Sequence, residues 1–421
     1  MGNPLALAKL RFADHVRSGE VAGWPQGPGE PLALTEALVA QRAELKRPVL
    51  FFGLSSSATL QPEHAQHFEF RALNGAGTNR RISAFADIIP CHVSSVPELI
   101  RSGKLRVDVA LIQVKPVPSG KFTLGVIADF TQALIRQARM VIALDNPALP
   151  ETTGDALVES GDIDLLVESD DRIIDMPDPA PSAAERAVAE QVAALIPDRA
   201  TVQLGIGTLP VAVAHALRNH RDLGVHSGVV SDALVDLVEQ GVVTNTHKGR
   251  DAGRSVTGGL FGTKRLRDFA ERSGLVEMRS VEYTHNAAVA ASLSQFHTIN
   301  SAIEIDLTGQ VNSEVAVDRY LGAIGGQVDF VRGGVASPGG RSILALPSTT
   351  PDGRISRIVA SLAGRPVTTA RSDVDVVVTE FGAAHLRGCT FSERARRLIA
   401  ICHPDHRETL LRDSAKSKES E

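Results

Sequence analysis

Short, nearly continuous apolar runs alternate along this chain with stretches in which apolar residues recur every three to four positions. The first pattern reads as buried strand, the second as amphipathic helix. In the first half the strand-like runs fall at 48–54, 88–92, 107–114, 140–144 and 163–167. The helical stretches fall at 3–18, 31–43, 95–102, 127–138 and 183–196. Strands alternating with helices predict βαβ units and a largely parallel sheet. The segment MPDPAPSAAERA, from Met176, reads as a Pro- and Ser-rich linker ending in a helix start, which sets a boundary near residue 182. The predicted fold class is α/β, with two domains at 1–182 and 183–412 and a polar, disordered tail at 413–421.

The pattern is densest between Val202 and Asn245. A strand-like start meets Gly205-Ile206-Gly207, and a helix follows from Pro210. A second strand, 223–226, ends at Ser227-Gly228, and another amphipathic helix follows from Asp232. Two such turns close together predict neighbouring parallel strands whose carboxyl ends face one crevice, where open α/β sheets bind ligands. A Gly-rich turn into a helix favours an anion through unpaired N–H donors and the helix dipole. Pro210 stands where a dinucleotide fingerprint needs its third glycine, and no Lys-Ser/Thr pair makes a Walker-type loop. The turn also has a plain reading, a tight strand-to-helix connection needing Gly.

A faint repeat points to duplication. Gly27-x-Gly29-x-Pro31 followed by Ala37-Leu38 resembles Gly205-x-Gly207-x-x-Pro210 followed by Ala216-Leu217. Val107-Asp108-Val109-Ala110 echoes Val374-Asp375-Val376-Val377. Farther on, IEIDL places Glu304 and Asp306 on one face of a strand, Gly325-Gly326 makes a flexible turn, and strands are predicted from Ser342 and Val374.

Composition narrows the function. At 421 residues the chain exceeds one typical core, and 43% hydrophobic with 22% charged residues is ordinary for a globular protein. One Trp, two Tyr and a net charge of −5 argue against a nucleic-acid partner. Cys91, Cys389 and Cys402 have no metal or redox spacing and suit a reducing cytosol, so a cytoplasmic location and no metal are expected. No secretory signal or membrane-length apolar run is read. Lys264, Arg265 and Arg267 form a basic cluster: a solvated helix face, or a landing site for a phosphorylated handle. HPDHR, from His403, reads as a helix end rather than a metal site.

Longer blocks give a resemblance. VDVALIQVKPVPSGKFTLGV, LDNPALPETTGD, GIGTLP, HSGVVSD, INSAIEIDLTGQVNSE, GGQVDFVRGG, RSILALPST and VTTARSDVDVVVTEFGAAHLRG resemble the acetyl-CoA hydrolase/transferase family, which includes 4-hydroxybutyrate and butyrate CoA-transferases. The resemblance implies two tandem related CoA-transferase-type domains, each a largely parallel sheet flanked by helices, with coenzyme A between them. It implies a CoA thioester as substrate with no permanently bound cofactor, a small carboxylic acid as partner, and a homo-oligomer, taken as a homodimer. It carries Gly205, Ile206, Gly207, Thr208 and Leu209 over as the loop touching CoA, with the Gly325-Gly326 loop lining the same pocket; Lys264, from the basic cluster, is the further candidate for binding the cofactor's phosphorylated handle. Asn300 is carried over as the donor to the thioester oxyanion.

At one position the chain departs from that pattern. The family's glutamate nucleophile sits in a motif like H-S-E-x-x-S-D, and here the motif is His226-Ser227-Gly228-Val229-Val230-Ser231-Asp232. Gly228 cannot form an acyl anhydride, and loss of a nucleophile costs roughly 10⁶-fold in a well-studied protease. Glu304, Glu314 and Asp232 are the candidates for a substitute carboxylate. Three functions remain open: an acyl-CoA transferase or hydrolase, a non-covalent thioester hydrolase or C–C bond-cleaving enzyme, and a catalytically silent CoA-binding subunit.

Overall fold

The computed structural model describes residues 4–316 and 319–419. Its first half carries β1 (Val21–Gly23), β2 (Val49–Phe52), β3 (Glu69–Ala72), β4 (Ala86–Ile88), β5 (Val109–Pro116), β6 (Phe122–Thr123), β7 (Met140–Asp145), β8 (Leu157–Val158) and β9 (Leu165–Glu168). The second carries β10 (Thr201–Leu204), β11 (Gly224–Ser227), β12 (Ser255–Thr257), β13 (Val276–Met278) and β14 (Phe296–Ser301). It continues with β15 (Glu304–Asp306), β16 (Val311–Asn312), β17 (Val315–Ala316), β18 (Arg319–Tyr320), β19 (Arg341–Ala345), β20 (Ile358–Val359), β21 (Val376–Thr379) and β22 (Gly382–His385).

The first sheet runs β4-β3-β2-β1-β5-β7-β9, all parallel, with β6 and β8 as an antiparallel extension from the end of β5. The second runs β13-β12-β11-β10-β14-β19-β21 in parallel and closes with antiparallel β22. Strands such as VLFF and VALIQV are buried along nearly their whole length, because helices cover both sheet faces and no position is left for water.

Strand for strand, the two orders coincide, which is the outcome expected of duplication. The turn after β1 (Gly27, Gly29) and the turn after β10 (Gly205, Gly207) are topological counterparts. The Val-Asp echo is corrected. Val107-Asp108 leads into β5, whereas Val374-Asp375 leads into β21, whose counterpart is β9. The equivalent of Asp375 is therefore Asp164. Each caps a neighbouring strand: Asp164 Oδ2 accepts from Val141 N at 2.8 Å and Asp375 Oδ2 from Ser342 N at 3.4 Å. Asp108 does the same for Val21 N at 2.9 Å.

Other expectations also shift. The helix expected at 3–18 is two 3-10 turns, Leu7–Lys9 and Phe12–Asp14, because Leu5 is held extended against β9 by hydrogen bonds with Leu166 and Glu168. The strand expected at 88–92 is β4, ending two residues before Pro90. The segment 413–419 continues the helix Arg407–Glu419, and residues 420–421 of the expected tail lie outside the described residues.

The halves are sewn together along one seam. Ala128 N donates to Gly258 O (2.8 Å), Leu260 N to Val126 O (2.8 Å) and Val281 N to Asp129 O (2.9 Å). A second stitch joins Gly75 N to Gly322 O and Val93 N to Gly325 O. One hydrophobic cluster runs through both halves, from Val21 to Val378. No helix among the described residues is long and apolar enough to cross a membrane.

Candidate active site

The carboxyl ends of β1, β2, β3, β10, β11 and β14 converge on one cavity of about 300 Å³ between the halves. Gln26, Gln203, Gly205, Ile206, Gly228, Asn300, Gly325 and Gly326 all line it, so turns far apart in sequence meet there. In the counterpart turn after β1, Gly27 packs against Phe261, where a Cβ would fall 2.4 Å from the ring. The first half's turn reaches the cavity through Gln26, the second half's through Gly205 and Ile206.

Of the loop expected to touch CoA, Gly205 and Ile206 reach the cavity wall. Gly207 caps the helix Thr208–Ala216 with φ 112°, a backbone state that favours glycine. Thr208 donates its hydroxyl to Glu185, and Leu209 is buried in the core. Asn300, at the end of β14, points its Nδ2 toward Gln203 Oε1 at 3.3 Å. That bond is long for an N–H···O contact.

The surviving residues of the motif around position 228 hold the scaffold. Ser227 Oγ donates to Leu204 O at 2.6 Å, tying β11 to β10. His226 is fully buried, and its Nε2 bonds Thr284 O at 2.9 Å. Burial, with Lys248 nearby, lowers its pKa to about 4, so the ring is neutral. Asp232 accepts from Thr263 N and Leu266 N, capping the helix Lys264–Ser273.

The other expected carboxylates are not brought to the cavity wall. Glu304 is bound by Asn312 Nδ2 at 2.8 Å and by the Arg365 guanidinium. Glu314 accepts from Tyr320 and Thr368 hydroxyls at 3.0 and 2.7 Å. Sequence adjacency to the motif blocks misplaces both, since β15 and β16 form a separate small sheet with β20. Lys264 lies on an exposed helix face and pairs with Asp268 at 2.7 Å, while Arg265 pairs with Asp236 and Glu239 and Arg267 with Asp175. The basic cluster is a salt-bridged surface.

Two side chains that the sequence pattern does not single out line the cavity: Asp129 and His285. Asp129 is 2% exposed, in a turn just before the helix Thr131–Gln137. Reading 127–138 as one helix hides it, though an Asp followed two residues later by Thr in an apolar run is a turn signal. Its Oδ1 accepts from Thr131 N (3.0 Å) and Thr131 Oγ1 (2.8 Å), and Oδ2 has no hydrogen-bond partner. Burial pushes its pKa up to about 7 against those lowering contacts.

His285 stands over the floor of the cavity. A Cβ at Gly228 would lie 2.8 Å from its Cε1, and one at Gly326 would lie 2.2 Å from its Nε2. Two glycines therefore make the slot for this ring, and Phe330 packs on it with ring centroids 4.4 Å apart. Thr284 Oγ1 is 2.8 Å from Nδ1 and 3.2 Å from Ser280 O. The hydroxyl thus donates to the carbonyl and accepts from Nδ1–H, leaving Nε2 bare. Burial and His226 lower the His285 pKa to about 3, so it is neutral at physiological pH.

Lys248, buried behind β11, donates to Val225 O (2.8 Å) and Arg254 O (2.7 Å), and burial lowers its pKa from 10.5 to about 8. Between those values the unfolded chain holds the proton that the folded chain has lost, so stability rises with pH. Wild type is expected to gain up to about 3 kcal/mol over Lys248→Met as pH rises from about 8 to about 10.5. Urea midpoints of both proteins across that range check it. A constant difference refutes it.

Comparison with known proteins places this geometry. The family models of the acetyl-CoA hydrolase/transferase N-terminal and C-terminal domains match residues 9–176 and 262–414. A 4-hydroxybutyrate coenzyme A transferase of Clostridium kluyveri is 40% identical, over 92% of this chain and 92% of its own. A succinyl-CoA:cyclohexane-1-carboxylate CoA transferase of Geobacter metallireducens is 35% identical over 94% and 91%. The crystal structure of RipA from Yersinia pestis superposes with a TM-score of 0.91 at 31% identity, covering 96% of each chain.

Proposed function

The chain belongs to the acetyl-CoA hydrolase/transferase family, and on that premise we propose that it binds a short-chain acyl-CoA between its halves and cleaves the thioester there. The cavity carries this reading: it gathers Asn300, the Gly205-Ile206 turn and the Gly325-Gly326 turn at the carboxyl ends of the strands. Asn300 serves as the donor to the oxyanion that forms on the acyl carbonyl. With glycine at 228, no glutamyl adduct forms at that position, and release of the acyl group to water is the favoured outcome. Transfer to a small carboxylic acid is the second reading, favoured by the transferase names of the two relatives.

Calorimetric titration with acetyl-, butyryl- and 4-hydroxybutyryl-CoA and with free CoA, beside an assay of free thiol, tests the proposal. Binding of at least one thioester, with thiol release that needs no added acid, is expected. Release that strictly requires an acceptor acid establishes the transfer reading, and no binding of any thioester or of CoA refutes both.

A further inference from the structure

Gly228 leaves the cavity without a carboxylate at one wall, but not without a carboxylate. Asp129 comes from the opposite half of the chain, on the seam that joins the two sheets: Asp129 N donates to Gly258 O, and Gly258 N to Gly228 O. Asp129 lines the cavity beside Gln26; its Oδ1 is clamped by Thr131, and its buried Oδ2 has no partner within hydrogen-bond geometry, though the Gln26 side chain is near enough to lower its pKa. A buried carboxylate oxygen without a donor is costly unless a ligand or water supplies one.

We propose that Asp129 is the general base of thioester cleavage, with Oδ2 taking a proton from a water molecule that attacks the acyl carbonyl. The proposal rests on the reading that acyl-CoA binds in this cavity. Water's oxygen forms the new C–O bond as its proton passes to Oδ2. The carbonyl electron pair moves onto the oxygen facing Asn300. On collapse the C–S bond breaks, and the proton on Asp129 goes to the departing sulfur. The products are the free acid and CoA thiol, and Asp129 returns to its starting state.

The clamp on Oδ1 argues for proton transfer over nucleophilic attack. It holds the carboxylate in its turn, while a nucleophile must close to bonding distance with the acyl carbon. His285 is the other titratable group on the wall, and its neutral ring with a pKa near 3 makes a weak base. A carboxylate titrating at about 7 is matched to neutral pH. The charged groups around the seam are paired elsewhere: Arg279 with Asp155 and Glu277, and Glu282 with Arg101.

Asp129→Asn keeps an oxygen for Thr131 and removes the base. With the thioester that wild type turns over fastest, kcat is expected to fall about 10²–10⁴-fold, with calorimetric affinity for that thioester unchanged. The wild-type rate is expected to rise through one ionisation near pH 7. Thr131→Val retains Asp129 but deletes a bond that favours its charged form, so that limb moves to higher pH. The second variant reads the role even where the first fails to fold. Wild-type turnover in Asp129→Asn, or a limb that Thr131→Val leaves in place, overturns the proposal. So does thioester binding without CoA release in wild type, or a borohydride-trapped CoA thioester on Asp129. Failure of wild type to bind any acyl-CoA refutes instead the reading of the cavity.

Discussion

Asn300→Ala is expected to lower kcat for thioester cleavage about 10²–10³-fold, the cost of losing one oxyanion donor. The side chain stands at the carboxyl end of β14, on the cavity wall, with its amide on a 3.3 Å bond to Gln203. β14 is held on both sides, by β10 and by β19, so the Cα is placed by the sheet and not by the side chain. Deleting the amide removes a donor without loosening the strand. The expected signature is a fall in kcat and kcat/KM together, because the bond strengthens as charge develops on the oxygen. Melting temperatures should stay close to wild type. A variant that loses stability while keeping its turnover per folded molecule shows that Asn300 only supports the end of β14 and the turn after Ser301.

The parallel architecture was legible because strands buried on both faces are written as continuous apolar runs, and β2, β5, β7 and β21 each coincide with such a run. Strands with little such signal were missed. β1 is the tripeptide Val-Ala-Gly, and β3 carries Glu69 and Arg71, so packing against neighbours defines them more than their own pattern does. The turns that meet at the cavity were legible as glycine-rich strand ends. Which carboxylate meets them was not. Glu304 and Glu314 lie near Asn300 in sequence, but Glu304 is on a small separate sheet and Glu314 in the bend after β16, whereas Asp129 is distant in sequence and reaches the cavity through the seam between halves. A pairing that exists only after two domains dock leaves no periodic trace in either.

Two linked results are expected at position 228. The wild type should show no glutamyl-CoA adduct there. Restoring a carboxylate with Gly228→Glu alone should also fail, and the obstacle is steric. Gly228 is not among the residues with positive φ, so its backbone accepts a side chain. A Cβ there, however, meets His285 Cε1 at 2.8 Å and Nε2 at 3.1 Å, with Phe330 Cε2 at 3.6 Å behind. The ring has little room to yield, being held by Thr284 on one side and packed on Phe330. Overpacking of this kind costs about 1–3 kcal/mol, so the single variant should be less stable and unmodified after incubation with acyl-CoA. Combining Gly228→Glu with His285→Ala empties the slot that the imidazole fills and leaves the carboxylate space beside Asn300. The double variant should then form an adduct that borohydride reduces, with a mass loss mapping to the peptide containing position 228. His285→Ala alone supplies the control, since it opens the slot without adding a carboxylate and should remain unmodified. If the double variant folds, binds the thioester and still shows no adduct, residue 228 does not face the acyl carbon, and the correspondence between His226-Ser227-Gly228 and the family's H-S-E motif is not one of geometry.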